Sequence, residues 1–196
     1  PHPERSQPGR QGEHKRLLLS LKVLADIGLV GRPNAGKSTF LSRVTKARPK
    51  VAAYPFTTTQ PHLGIVPLPG SYSSVVMADI PGLIEGSHTG RGLGIRFLKH
   101  IERTRVLAVL VDVLSEDPRA EAEMLLHELA AYSPVLAKRP LCFVLTKTDL
   151  CEGRPRAPQG WLAMSSVTGE GVDSVLQELR RLWESLPADE APTRRL

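Results

Sequence analysis

Apolar residues in this chain come in short runs that alternate with stretches of helical spacing. Residues 23–30 are apolar apart from Asp26 and predict a buried strand running straight into a glycine-rich loop. Residues 37–46 then predict a helix. Residues 63–68 and 74–78 predict two short strands joined across Pro69, Gly70 and Ser71 as a hairpin. Residues 106–113 are almost wholly apolar, the pattern of a central parallel strand covered on both faces. Asp117 and Pro118 offer a helix cap and a first-turn proline. Leu125, Leu129 and Tyr132 follow at helical spacing, and Pro134 ends or bends that helix. Residues 141–145 and 161–164 predict two more strands. Residues 171–186 predict a closing helix with Val172, Val175, Leu176, Leu179 and Leu182 on its apolar face. Between these elements, Pro49, Pro55 and Pro61 punctuate a Thr-rich loop, residues 82–94 are glycine-rich, and residues 95–102 predict a helix. Strands alternating with helices predict an α/β fold: a mostly parallel six-stranded sheet with helices on both faces.

Composition sharpens this picture without changing it. The chain has 196 residues, 41% hydrophobic and 23% charged, which is ordinary for a soluble globular domain. A chain this long can bury roughly 70% of its unfolded surface, so its core needs no covalent staples. Cys142 reads as a core residue of a strand and Cys151 as a loop thiol in a reducing compartment; they form neither a disulfide framework nor a metal site. His62, His88 and His100 lack partners at ligand spacing. No apolar run reaches the roughly 18 residues of a membrane span, and a cytoplasmic location is expected. The sequence opens on Pro1 rather than Met and reads as a fragment: over 1–22 a tail and, at 17–22, the last strand of a missing upstream domain, then one domain over 23–187 and a second tail over 188–196.

The formal net charge is +6. Five cations stand against Glu4 and Glu13 in residues 1–22, and Arg91, Arg96, Lys99, Arg103 and Arg105 stand against Glu102 alone. A positive balance favours an anionic partner such as RNA, although a solvated helix face gives the same count.

The candidate chemistry is concentrated in four places. Gly31, Arg32, Pro33, Asn34, Ala35, Gly36, Lys37 and Ser38 fit the G-x-x-x-x-G-K-[ST] phosphate-binding loop at every fixed position. They follow a predicted strand and open a predicted helix, as that loop requires. Its backbone N–H groups cradle phosphates, Lys37 reaches the β- and γ-phosphates, and Ser38 supplies a hydroxyl to Mg²⁺. Asp79, Ile80, Pro81 and Gly82 follow the second hairpin strand. A carboxylate there can hold the hydration shell of Mg²⁺, and Gly82 can turn its N–H to the γ-phosphate, so that losing this phosphate frees the following segment. Thr57, Thr58 and Thr59 lie in the loop after the first helix, where a second protein ligand to Mg²⁺ is expected. Thr146, Lys147, Thr148 and Asp149 select the base: a carboxylate accepts from N1–H and N2–H₂ of guanine, which adenine cannot supply. Lys147 lays its stem over the base, and Ser165, Ser166 and Val167 can offer backbone N–H to the guanine carbonyl. The first position of this base motif departs from the usual N-K-x-D, being Thr146. It keeps a hydroxyl and loses an amide, which predicts a weaker hold on the base.

The match is closer still around these motifs. The residues Tyr54-Pro55-Phe56-Thr57-Thr58, Pro61-His62-Leu63-Gly64, Asp79 through Gly86, and Gly92-Leu93-Gly94 through Arg105 resemble the Obg family of GTPases, over about residues 17–186. The resemblance implies a Ras-like GTPase domain that lacks the family's glycine-rich N-terminal domain and acts in assembly of the large ribosomal subunit, with guanosine tetraphosphate as a further ligand of some members. By the family pattern Ser38 and Thr58 look like the Mg²⁺ ligands, and Phe56, Thr57, Thr58, Thr59 and Gln60 join the loop, Asp79–Gly82, Thr146–Asp149 and Ser165–Val167 as nucleotide contacts. Lys37, Thr58, Gly82 and Asn34 are the catalytic candidates. Leu83 stands where Ras places a water-orienting Gln, which predicts slow intrinsic hydrolysis. Asn34 occupies the place of a potassium-binding Asn in certain potassium-stimulated GTPases, so K⁺ is an expected cofactor beside Mg²⁺. GTP and GDP, the large subunit with its rRNA, and a monomeric chain complete the expectation. Two other readings stay open: a sensor of guanine nucleotides in which binding matters more than turnover, and an ATPase built on the same loop.

Overall fold

In the computed structural model, which describes residues 9, 12, 14, 25–46, 50–51, 62–70, 73–80, 104–153 and 155–187 (backbone alone at 50, 51 and 132), the central element is strand β5, Val106–Asp112. Its side chains divide by the period of two that a pleat imposes. Val106, Ala108 and Leu110 enter one core cluster; Leu107, Val109 and Val111 enter clusters on the opposite face. All six are buried, and each large one contributes about 1.5–3 kcal/mol over exposure. This is the physical reason for the uninterrupted apolar run.

The remaining strands are β1 (Ile27–Val30), β2 (Lys50–Val51), β3 (His62–Pro67), β4 (Ser74–Asp79), β6 (Leu141–Thr146) and β7 (Leu162–Ala163). They pair in the order β2-β3-β4-β1-β5-β6-β7. β4, β1, β5, β6 and β7 run parallel, while β3 joins β4 as the antiparallel hairpin expected across Pro69 and Gly70. Six of the strands are those expected; the two-residue β2 adds a seventh at the edge, antiparallel to β3. It falls in the stretch read as a Thr-rich loop, where two residues carry no periodicity to reveal it.

Among the described residues three α-helices cover the sheet. α1 (Lys37–Val44) and α3 (Val172–Glu184) bury Phe40, Leu41, Val172, Val175, Leu176 and Leu179 against one face. α2 (Pro118–Tyr132) buries Ala122, Leu125 and Leu129 against the other. Asp117 caps α2 as expected, its carboxylate accepting from Arg119 N and Ala120 N at 3.0 Å each. Cys142 lies in the core on β6, where burial pushes its thiol up to about 12 and removes it as a nucleophile. The expectations for residues 1–8, 15–24, 52–61, 81–103 and 188–196 lie outside the described residues.

Candidate guanine-nucleotide site

The loops that follow β1, β4, β6 and β7 all leave the carboxyl ends of parallel strands, the edge at which open α/β sheets hold ligands. After Val30 the chain turns into residues 31–36. A Cβ on Gly31 would lie 2.4 Å from the carbonyl oxygen of Leu110, so only glycine lets the loop pass this close to β5. Asn34 (φ 63°) and Gly36 (φ 89°) are both left-handed, a conformation that Asn and Gly adopt more readily than other residues. The result is a helix α1 with no side-chain cap and no acidic residue in its first turn. Its orphan N–H groups and dipole face the loop and favour an anion there. Lys37 Nζ donates to the carbonyls of Gly31 and Arg32, at 2.8 Å each, holding its ammonium across the loop. The Arg32 guanidinium turns to α2, 3.9 Å from Glu121 and 3.7 Å from Met124 Sδ. Ala35 is buried and Pro33 exposed.

Ser38, on the first turn of α1, meets Asp79 at the end of β4: Ser38 Oγ donates to Asp79 Oδ2 in a short hydrogen bond. Asp79 is 4% exposed, and its Oδ1 is buried with no hydrogen-bond partner among the described residues. A buried, unsatisfied carboxylate oxygen is costly. It fits a hydrated divalent cation, whose water would satisfy it. The donors are all oxygen, as Mg²⁺ requires, and among the described residues no cluster of three or more His, Cys, Asp or Glu offers another metal site. Ile80 N donates to Leu29 O at 3.2 Å and keeps the segment in register with β1.

The base motif is assembled around a cavity of about 220 Å³ lined by Gly36, Thr39, Thr146, Lys147, Asp149, Leu150, Ser166 and Val167. Lys147 is left-handed (φ 58°), and its ammonium pairs with Asp112 Oδ2 at 2.6 Å. That ion pair lays the aliphatic stem along the cavity. Thr148 and Asp149 lie in a short 3₁₀ turn, with Thr148 N donating to Met164 O at 3.3 Å. Ser165 is fully buried. Its hydroxyl donates to Asp149 Oδ1 at 2.5 Å and accepts from Val167 N at 3.2 Å and Thr168 N at 3.1 Å. Asp149 is therefore held by one oxygen and presents the other. Of the three residues expected to offer an amide, Ser165 spends its own on Glu170 O and Val167 on Ser165 Oγ, while the Ser166 amide has no partner among the described residues. Thr146 is 2% exposed, and its Oγ1 lies 2.9 Å from Ala35 O and 3.0 Å from Val111 O. It ties the base motif to the phosphate loop.

Some contributors escaped the sequence reading. Thr39 and Leu150 line the cavity beside motif residues, and adjacency to Ser38 and Asp149 is the signal that could have found them. Asp112 had no local signal; the β5–β6 register sets it opposite Thr146. Arg43 reaches from α1 to Val167 O at 3.3 Å and Thr168 O at 3.4 Å. Phe56, Thr57, Thr58, Thr59, Gln60, Pro81, Gly82 and Leu83 lie outside the described residues. Arg105 corrects the charge reading: it is 3% exposed, its guanidinium lies over Trp183 at 5.2 Å, and it donates to the carbonyls of Leu186 and Pro187. It is an internal clasp rather than part of a basic surface.

Comparison with known proteins agrees with this geometry. Residues 26–147 match the family described as 50S ribosome-binding GTPase. The GTPase Obg of Solibacter usitatus is 50% identical over 186 residues, covering 88% of this chain and 55% of that protein. The GTPase Obg of Desulforudis audaxviator is 50% identical over 202 residues, covering 97% of this chain and 47% of that protein. The chain thus spans about half the length of these curated relatives. Among solved structures, Era bound to MgGDPNP and nucleotides 1506–1542 of 16S ribosomal RNA has a TM-score of 0.63 at 20% identity, covering 90% of this chain and 60% of that one. The G domain of the Thermotoga maritima FeoB iron transporter has a TM-score of 0.60 at 19% identity, covering 80% and 96%. These two likenesses speak for the fold alone. Together with the motif strings around Asp79 and the loop at Gly31, the family match means that this chain belongs to the 50S ribosome-binding GTPases, on their Obg branch.

Proposed function

We propose that this chain binds GTP and GDP, hydrolyses GTP slowly with Mg²⁺, and serves as the switch of a factor that acts in assembly of the large ribosomal subunit. One observation carries the reading. The uncapped start of α1 lies between two carboxylates of different disposition: Asp79, buried against Ser38, and Asp149, presented at the cavity by Ser165. A nucleotide fits with its phosphates on the first and its base on the second. Residues 23–187 form the nucleotide domain in this reading, and 1–22 and 188–196 flank it.

In use, the Lys37 ammonium exchanges the Gly31 and Arg32 carbonyls for phosphate oxygens, a stronger charge-assisted pairing. Ser38 and Thr58 would hold the metal, with Asp79 toward its hydration shell, and Mg²⁺ there would supply charge to offset that on the phosphate oxygens. Gly82 reports the γ-phosphate to the segment after it. Asn34 is the candidate for K⁺; equal turnover in K⁺ and Na⁺ at matched ionic strength removes that role. Support for the ribosomal partner comes from the family description, 50S ribosome-binding GTPase.

The test is phosphate release from GTP and ATP, with co-sedimentation on large subunits. GTP is expected to turn over slowly and ATP not at all, with retention on the subunit stronger under a non-hydrolysable GTP analogue than under GDP. Equal retention would remove the switch. Leu83, which has no hydrogen-bonding group, favours a second reading as a guanine-nucleotide sensor. It prevails if blocking hydrolysis leaves release from the subunit unchanged.

A further inference from the structure

We infer that the base pocket reads guanine at its pyrimidine edge and carbonyl and leaves N7 unread, so that nucleotides lacking this nitrogen bind as well as the natural ones. The inference rests on the guanine reading above and deepens it.

The argument is a count of protons. With N1–H and N2–H₂ on Asp149 and O6 at the Ser166 amide, N7 is left to the rest of the lining: Gly36, Thr39, Thr146, Lys147, Leu150 and Val167. To read N7, which only accepts, the pocket must donate. Thr146 owns one hydroxyl proton. Its oxygen lies within hydrogen-bond distance of two buried carbonyls, Ala35 O at 2.9 Å and Val111 O at 3.0 Å, and the residue is 2% exposed. Turning that proton to a ligand would leave both carbonyls without it, at the cost that accompanies an unmade buried bond. The hydroxyl oxygen that does face the cavity is an acceptor, and two acceptors do not bind. The single cation of the lining, Lys147, is held 2.6 Å from Asp112. Gly36 and Thr39, the latter with its hydroxyl, stand at the start of α1 on the phosphate side, and Val167 and Leu150 spend their amides on Ser165 Oγ and Lys147 O.

The probe is 7-deaza-GDP, in which C–H replaces N7 with the shape retained. By calorimetry on the unaltered chain, its Kd is expected within about twofold of that of GDP, while ADP binds at least tenfold more weakly. A loss of about tenfold for 7-deaza-GDP, the size of one hydrogen bond, with ADP still rejected, overturns this inference and leaves the guanine reading standing. ADP binding as tightly as GDP overturns both. Thr146→Asn supplies a second N–H, so it is expected to prefer GDP over 7-deaza-GDP by about fivefold or more; no preference in the folded variant counts against the inference. If that variant does not fold, the comparison on the unaltered chain decides.

Discussion

The two ends of the candidate site solve the same problem, holding a polar ligand, by different means. At the phosphate end the candidate donors are backbone N–H groups of the loop and of the first turn of α1, aimed by two left-handed residues and one close approach to β5. At the base end the recognising groups are a carboxylate and an amide on separate loops, each held by another side chain: Asp149 by Ser165, Lys147 by Asp112, and Thr146 across to Ala35. A backbone device depends on chain geometry and tolerates little change in glycine. A side-chain device depends on its supports and can be altered one group at a time. The departure at Thr146 falls at the second kind of end, where a substitution removes one contact and leaves the cradle intact.

This contrast can be broken in order of effect. Lys37→Ala removes the ammonium that the phosphate loop holds. Two charge-assisted hydrogen bonds at about 1.5–3 kcal/mol each make the expected loss roughly 100-fold or more for GTP, and smaller for GDP, which lacks the γ-phosphate, by calorimetry. Asp149→Asn is expected to weaken GDP by about 2 kcal/mol, roughly 30-fold, and to favour the xanthine nucleotide in its place. A variant that still preferred guanine would show that Asp149 does not choose the base. Gly31→Ala forces a Cβ against Leu110 O. About 2 kcal/mol of overpacking would lower the melting temperature by roughly 4–8 °C; an unchanged melting curve would mean that the loop relaxes freely. Ser165→Ala frees Asp149 and leaves two amides without their acceptor. The expected cost is about 1 kcal/mol, near fivefold in GDP affinity, with the affinity for pyrophosphate unchanged. An equal loss for pyrophosphate would erase the distinction between the two ends.

Much of the fold was legible because its signals are local. The apolar run of β5, the Asp117-Pro118 start of α2 and the hairpin turn at Gly70 each announce themselves within a few residues. β2 did not, since two residues carry no period. Arg105 was misread for the opposite reason: a cation in a basic run looks exposed, whereas Trp183 and the end of α3 enclose this one.

By itself the sequence determined the α/β class and marked residues 31–38 and the carboxylates at 79 and 149 as candidates, because dihedral preference, burial period and functional-group chemistry act over short spans. Only the tertiary structure decided that Asp112 restrains Lys147, that Ser166 rather than Val167 has its amide available, and that the Thr146 hydroxyl is spent inside the protein. The first and last of these are contests for hydrogen-bond partners between residues far apart in the chain, 35 positions for Lys147 and Asp112 and 111 for Thr146 and Ala35. Their outcome depends on which groups the strand register brings within 3 Å, and that distance has no counterpart in sequence.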